Sequence, residues 1–251
     1  MKFNILVTLF LSFFLVGCAT KREYFSPTDE QVLGKHNYDK SLNNENIAYI
    51  TAEGATLKDG SVITKSGYLS KIKLDKKEKF LTIADNKVIS SNIDGTLKIR
   101  DLDGNLLFEH KFLVQALSAN LRGDDLALVT ANNALHLIKV STKTVVLTER
   151  GEPTLAYDSR LAKPLFAGSG IVLYPMLDGR VAIAHLPSGS MVQDLYISNE
   201  PFFNSVIFLE IAGDNMYAAT ATALLMNSSV GNKSGLSSLM LLPILMHIRT
   251  F

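Results

Sequence analysis

An all-β fold of repeated four-stranded units is the fold class this 251-residue chain predicts. Three observations predict it. Short runs that alternate apolar and polar residues recur between turn-forming residues, which is the period of a half-buried strand. Equivalent strands return at a nearly constant spacing. No stretch from Ile47 to Thr222 carries a strong helical period with caps.

The first element along the chain is an address. Met1-Lys2 supplies a positive start, and Phe3 to Val16 is apolar apart from Asn4, Thr8 and Ser12. A run this short falls below the ~20 apolar residues needed to cross a bilayer, so residues 1–17 read as a secretory signal helix. Leu15-Val16-Gly17-Cys18 follows at once. This run resembles the lipobox of bacterial lipoproteins. The resemblance implies cleavage between Gly17 and Cys18 and acylation of Cys18. An ordinary signal with a coincidental cysteine is the alternative. Cys18 is the only cysteine, so it has no disulfide partner within the chain, which favours the lipid. More than one acyl chain implies stable membrane anchoring. Ala19 follows the cysteine, and the lack of Asp there is similar to outer-membrane lipoproteins. Residues 18–46 read as a lipidated cysteine and a polar tether. They include Lys21-Arg22-Glu23, Ser26-Pro27-Thr28-Asp29-Glu30 and the Asn-rich Ser41 to Asn46.

Strands and turns begin near Ile47. Second strands start at Lys87, Leu126, Ile171 and Met216, spaced 39, 45 and 45 residues apart. Third strands start at Thr96, Leu135 and Arg180, each after a turn at Asp94-Gly95, Asn133-Ala134 or Asp178-Gly179. Gly takes positive φ at no steric cost, and Asp and Asn tolerate it. Fourth strands start at Leu106, Val145 and Met191, after polar turns that include Asp103-Gly104 and Gly189. A period of ~40–45 residues with four short strands is the mark of a β-propeller blade, a twisted sheet that buries its faces only by stacking on its neighbours. The blades expected are 47–74 (partial), 78–112, 114–150, 164–197 and 206–222 (partial), making about four to five in an incomplete propeller.

The run Ile99-Arg100-Asp101-Leu102-Asp103-Gly104-Asn105-Leu106-Leu107-Phe108 resembles the repeat of pyrroloquinoline-quinone-type propellers. There a strand ends in Asp, a Gly turn follows, and an aromatic lies on the outer strand. Ala184 to Val192 is a weaker copy, and Ile138 to Val145 is weaker still. WD-type repeats are disfavoured because the chain has no Trp. A lipoprotein of this plan is similar to the accessory lipoprotein of the outer-membrane barrel-assembly machinery. That family implies a non-catalytic scaffold that binds another assembly component through one propeller face. The likeness is one of plan, and no contact residue carries over from it.

The pattern changes after Thr222. From Asn215 to Phe251 there is no Asp or Glu, and no Asp-Gly or Asn-Gly turn reappears. Two readings of 223–251 follow: a native apolar end element, or a chain that leaves its reading frame near Thr222. The second expects an atypical, poorly packed tail and a ring that cannot close.

Composition and motifs restrict the chemistry. With 25 basic and 24 acidic residues the net charge is +1, against a nucleic-acid surface. Neither a disulfide nor a thiolate metal cluster can form within a chain of one cysteine. His36, His110, His136, His185 and His247 lack the spacings of metal sites. His136 and His185 read as strand-face residues. Gly168-Ser169-Gly170 lacks the frame of a nucleophile elbow and reads as a turn. Asp101 and Asp103 read as turn caps, since a Ca²⁺ loop would need a later bidentate Glu. Lys71, Lys73, Lys76, Lys77 and Lys79, interleaved with Asp75 and Glu78, read as a solvated strand and turn, with a partner or lipid-headgroup contact as the alternative.

The function expected is a membrane-anchored scaffold that binds an envelope protein, facing the periplasm from a Gram-negative outer membrane. It is expected to need no cofactor, metal, nucleic acid or small-molecule substrate. A surface-displayed adhesion or host-binding lipoprotein is the second reading. A quinone-dependent dehydrogenase is the third. It is disfavoured by length, by the lack of Trp for blade docking, and by the lack of the adjacent cysteine pair that such enzymes carry.

Overall fold

The computed structural model describes residues 46–154, 160–200, 204–213, 215–228 and 239–243. The signal, the lipobox with Gly17 and Cys18, and the tether through 45 lie outside the described residues. So do His36 and His247. Among the described residues no helix is long and apolar enough to cross a membrane.

The described chain is a β-propeller of antiparallel four-stranded sheets, five in number. The first holds β1 (Ile47–Ile50), β2 (Gly54–Leu57), β3 (Ser61–Thr64) and β4 (Gly67–Lys73). The second holds β5 (Glu78–Ala84), β6 (Lys87–Asn92), β7 (Thr96–Asp101) and β8 (Leu106–Lys111). The third holds β9 (Ala116–Arg122), β10 (Asp125–Thr130), β11 (Ala134–Lys139) and β12 (Thr144–Arg150). The fourth holds β13 (Leu165–Ala167), β14 (Ile171–Pro175), β15 (Arg180–His185) and β16 (Ser190–Tyr196). The fifth holds β17 (Phe208–Ala212), β18 (Asn215–Ala219), β19 (Ala223–Ser228) and β20 (Leu239–Pro243). In each sheet the strands pair in chain order.

Four apolar clusters join consecutive sheets. Val62, Ile72 and Leu74 meet Phe80 and Val88 between the first and second. Leu97, Ile99 and Phe108 meet Leu121, Leu126 and Leu128 between the second and third. Leu135 and Leu137 meet Val172, Tyr174 and Ala182 at the next joint, and Val181 and Leu195 meet Leu209, Met216 and Leu225 at the last. Each large side chain buried this way contributes about 1.5–3 kcal/mol. The alternation of strand side chains makes this possible, because each sheet offers one apolar set to each neighbour. Phe108, on the outer strand β8, is 3% exposed.

Two boundaries in the structure differ from the expected units. The first unit is a complete four-stranded sheet. Its inner strands are only four residues long, too short to show a clear alternation in the sequence. The second concerns the tail, of which residues 223–228 and 239–243 are described. β19 continues the fifth sheet, pairing Leu225 with Ala218 and Met226 with Tyr217, and Ala223, Leu225 and Asn227 are buried. A threonine turn stands where an Asp-Gly turn was expected. Thr220 Oγ1 accepts the N–H groups of Thr222 and Ala223 at 3.3 and 3.2 Å. The continuous apolar run hid the two-residue period that the sheet uses.

The face of the first sheet that points away from the second is apolar. Cα partners Ile50, Ala55, Ile63 and Tyr68 form a row across all four strands. Ile50 is 51% and Tyr68 54% exposed, and among the described residues no apolar cluster covers this row.

Candidate functional site

One turn in each of the first four sheets repeats a single device. Gly60, Gly95, Asn133 and Gly179 all adopt positive φ between the second and third strands. Their carbonyls accept the N–H groups of Leu74, Phe112, Gly151 and Ile197 at 2.8, 2.9, 2.7 and 2.8 Å. Each donor lies just past the outer strand, so the bond locks the turn onto the connection to the next sheet. A Cβ at Gly95 would overlap the Phe112 carbonyl oxygen, so sterics as well as φ require glycine there. Asp94 caps this turn by accepting the Thr96 N–H at 2.8 Å. That bond, with the nearby Lys111, holds its carboxyl below the usual range.

At the third sheet the device becomes a bridge. Asn133 is fully buried, and Asn tolerates its positive φ. Its Nδ2 donates to Asp178 Oδ2 at 2.8 Å and to the Glu152 carbonyl at 2.8 Å, and its Oδ1 accepts the Leu177 N–H at 2.8 Å. Asp178 Oδ2 also accepts the Glu152 N–H at 2.9 Å and Arg180 Nε at 3.1 Å. Arg180 pairs in addition with Asp194 on β16. Gly179 leaves room for Asn204, whose Nδ2 donates to the carbonyls of Asp178 and Ser198 at 3.1 and 2.8 Å. A turn expected for its dipeptide alone is thus the hub of a buried polar joint.

The other sequence-derived residues are dispersed. Asp101 caps the β7–β8 turn, accepting the Asp103 N–H at 3.0 Å and the Asn105 N–H and Nδ2 at 2.8 Å each. Its Asn105 side-chain bond is the main reason its carboxyl is lowered. Asp103, expected as a second cap, instead pairs with Lys71 of β4 at 2.5 Å, and Gly104 beside it has positive φ. Gly189 turns β15 into β16 against Val146 of the third sheet. Gly168-Ser169-Gly170 is the β13–β14 turn, and its Gly168 carbonyl accepts from Arg122.

The described histidines take structural places. His136 of β11 hydrogen-bonds Thr148 Oγ1 through Nδ1 at 3.0 Å and lies 5.1 Å from the Phe112 ring. Burial, and then His110, push its pKa down to about 4. His110 stands between Phe108 and Phe112, with ring centroids 6.2 and 4.7 Å away, and burial lowers its pKa too. His185 Nδ1 bonds Ser188 Oγ at 2.9 Å. Among the described residues no group of three or more His, Cys, Asp or Glu could hold a metal.

Sequence reasoning missed a buried ion pair. Arg100 Nη2 lies 3.0 Å from Glu78 Oε2, and Arg100 Nη1 donates to Ser90 Oγ at 2.9 Å. Glu78 is 4% exposed. Only the polar face of an otherwise apolar strand hinted at it.

Two surfaces could receive a partner. A cavity of about 620 Å³ is bounded by Ala52, Glu53, Lys163, Phe166, Phe208 and Glu210. Glu53 binds Lys163 at 3.0 Å and Lys65 at 3.8 Å across it, so its wall is charge-balanced. At the end of the second sheet that carries the Gly95 turn, Ile93 and Leu113 are 56% and 85% exposed. Such exposed apolar groups on rigid turns suit a protein contact better than chemistry on a small molecule.

Comparison with known proteins places this geometry. No family model matches the chain. Plasminogen-binding protein PgbB from two strains of Helicobacter pylori is 27% identical over 253 aligned positions, covering 83% of this chain and 46% of the relative. The chain therefore spans about half the length of the curated relatives it matches. Among solved structures, BamB from Moraxella catarrhalis superposes with a TM-score of 0.57 at 16% identity, over 74% of this chain and 62% of that one. The Cps50 (Swd1) β-propeller domain of Myceliophteria thermophila gives 0.55 at 12% identity, over 75% and 67%. At these identities the structural likeness carries the fold and no more.

Proposed function

We propose that this chain is a non-catalytic, membrane-anchored lipoprotein of the bacterial cell envelope whose propeller binds another protein. The observation that carries the reading is its relationship, across 83% of its length, to proteins named for binding a protein. The lipobox at Leu15–Cys18 supports the anchor, and the exposed Ile93 and Leu113 on locked turns support a protein contact.

The host-binding form of this reading is favoured over the periplasmic scaffold. It rests on similarity of sequence, whereas the resemblance to BamB is one of fold. The scaffold form keeps the support of its plan, a propeller behind a lipobox with Ala19 at the sorting position. Protease shaving of intact cells separates the two. A host-binding lipoprotein is cut on intact cells. A periplasmic scaffold survives until the outer membrane is breached, and its deletion lowers the levels of outer-membrane barrel proteins.

A further inference from the structure

Lysines of the stretch read as a solvated strand and turn, with a partner or lipid-headgroup contact as the alternative, border a second cavity. It measures about 490 Å³ and lies where the turn of Lys58 to Gly60 meets the connection of Leu74 to Lys77. Lys58, Lys76, Lys77 and Lys79 border it, with Tyr49 beside them. Three carboxylates border it too, but each is engaged by a cation outside the cavity lining. Asp59 is held by Lys73 at 2.8 Å, Asp75 by Lys98 at 2.6 Å, and Glu78 by Arg100. The side chains of Lys58, Lys76 and Lys77 make no ion pair among the described residues. Lys79 reaches only the Gln115 side-chain oxygen at 3.5 Å and the Tyr49 ring at 4.0 Å.

The charge balance is therefore one-sided. Four lysines border a concave site whose three acids are each paired with a cation outside its lining. Burial also lowers the Lys79 pKa, as expected of an ammonium held without a counter-ion. A compact anion placed there would supply the missing charge beside Lys79, the one partly buried lysine of the four, where a charge counts for more than on an open surface. Concavity and size favour a small, dense anion over a flat protein partner. Lysine ammoniums act as point charges suited to phosphate oxygens.

We propose that this cavity binds a compact phosphate-bearing anion, either free or as the headgroup of an anionic phospholipid. The proposal stands independently of the protein-binding role. It is tested with the full chain and three variants: Lys76→Gln with Lys77→Gln, Lys79→Met, and the control Lys143→Gln. Lys143 is an exposed lysine on the β11–β12 turn that shares the positive φ of Lys77. Far-UV circular dichroism confirms that each variant is folded.

Inorganic pyrophosphate is titrated by calorimetry. In parallel, sedimentation compares phosphatidylcholine vesicles with and without phosphatidylglycerol, the readout being the difference between the two. Each lysine removed is expected to weaken binding about fivefold, and added salt to weaken it further, with Lys143→Gln unchanged. Saturable pyrophosphate binding identifies a free-phosphate site. A preference for phosphatidylglycerol without pyrophosphate binding identifies a headgroup site. Neither ligand binding, or equal loss in Lys143→Gln, overturns the proposal.

Discussion

Asn133 donates its side-chain amide to the carboxylate of Asp178 at 2.8 Å, across the joint between the third and fourth sheets. The two residues occupy equivalent turns of successive units; Asn133 is fully buried and the Asp178 side chain is 7% exposed. The bond turns a local turn preference into a link between blades. It predicts a graded response to substitution. Asn133→Gly keeps the positive φ and loses the bridge, at a cost of about 1–2 kcal/mol. Asn133→Ala adds backbone strain, raising the cost to about 2–4 kcal/mol. Urea unfolding of both variants checks this, and wild-type stability in the glycine variant would remove the bridge from the account.

The Glu78–Arg100 pair should behave as a buried charge pair. Arg100→Met strands the Glu78 carboxylate and is expected to cost about 3–5 kcal/mol. Adding Glu78→Gln to that variant should recover part of the loss, because no buried charge remains. A double-mutant cycle in urea measures both. Additive losses would mean the two groups do not interact.

His136 makes stability depend on pH. Its folded pKa of about 4 lies below the ordinary histidine value, so the unfolded chain binds the proton more readily. The stabilising contribution of the neutral ring is thus complete above about pH 6.5 and is lost as pH falls towards 4. Its size is about 3 kcal/mol by linkage. Unfolding midpoints at neutral pH and at about pH 4.5 should differ less for His136→Gln than for the parent chain. An unchanged difference would place the acid sensitivity elsewhere.

Tyr68 caps the apolar row on the free face of the first sheet. Tyr68→Lys should cost under about 0.5 kcal/mol, since the side chain is half exposed. It should also raise the concentration at which the protein self-associates, because uncovered apolar sheet faces promote association. Light scattering across a concentration series measures this. Identical scattering would show that the row is harmless as exposed.

Local chemistry was legible in the chain. Asp94-Gly95 and Asp178-Gly179 announced their turns because positive φ selects residue type within two positions. Spacing announced the sheets, since one blade demands one length of chain. What the sequence hid was non-local. Asn133 reads as one more turn residue, and its reach to Asp178, 45 positions on, exists only once the sheets stack. Glu78 reads as part of a solvated strand and turn, and its pairing with Arg100 appears only once the second sheet brings the two together around Ser90. β19 was masked for the opposite reason: its apolar residues were too many to reveal which of them face the fourth sheet.

The central claim is that the folded propeller binds protein in the manner of its sequence relatives. Biolayer interferometry of the immobilised full chain against plasminogen tests it most directly. The account predicts saturable binding by the folded chain that disappears when the chain is unfolded in urea. No binding by folded protein up to about 10 µM plasminogen, near −7 kcal/mol on the affinity scale, would contradict it.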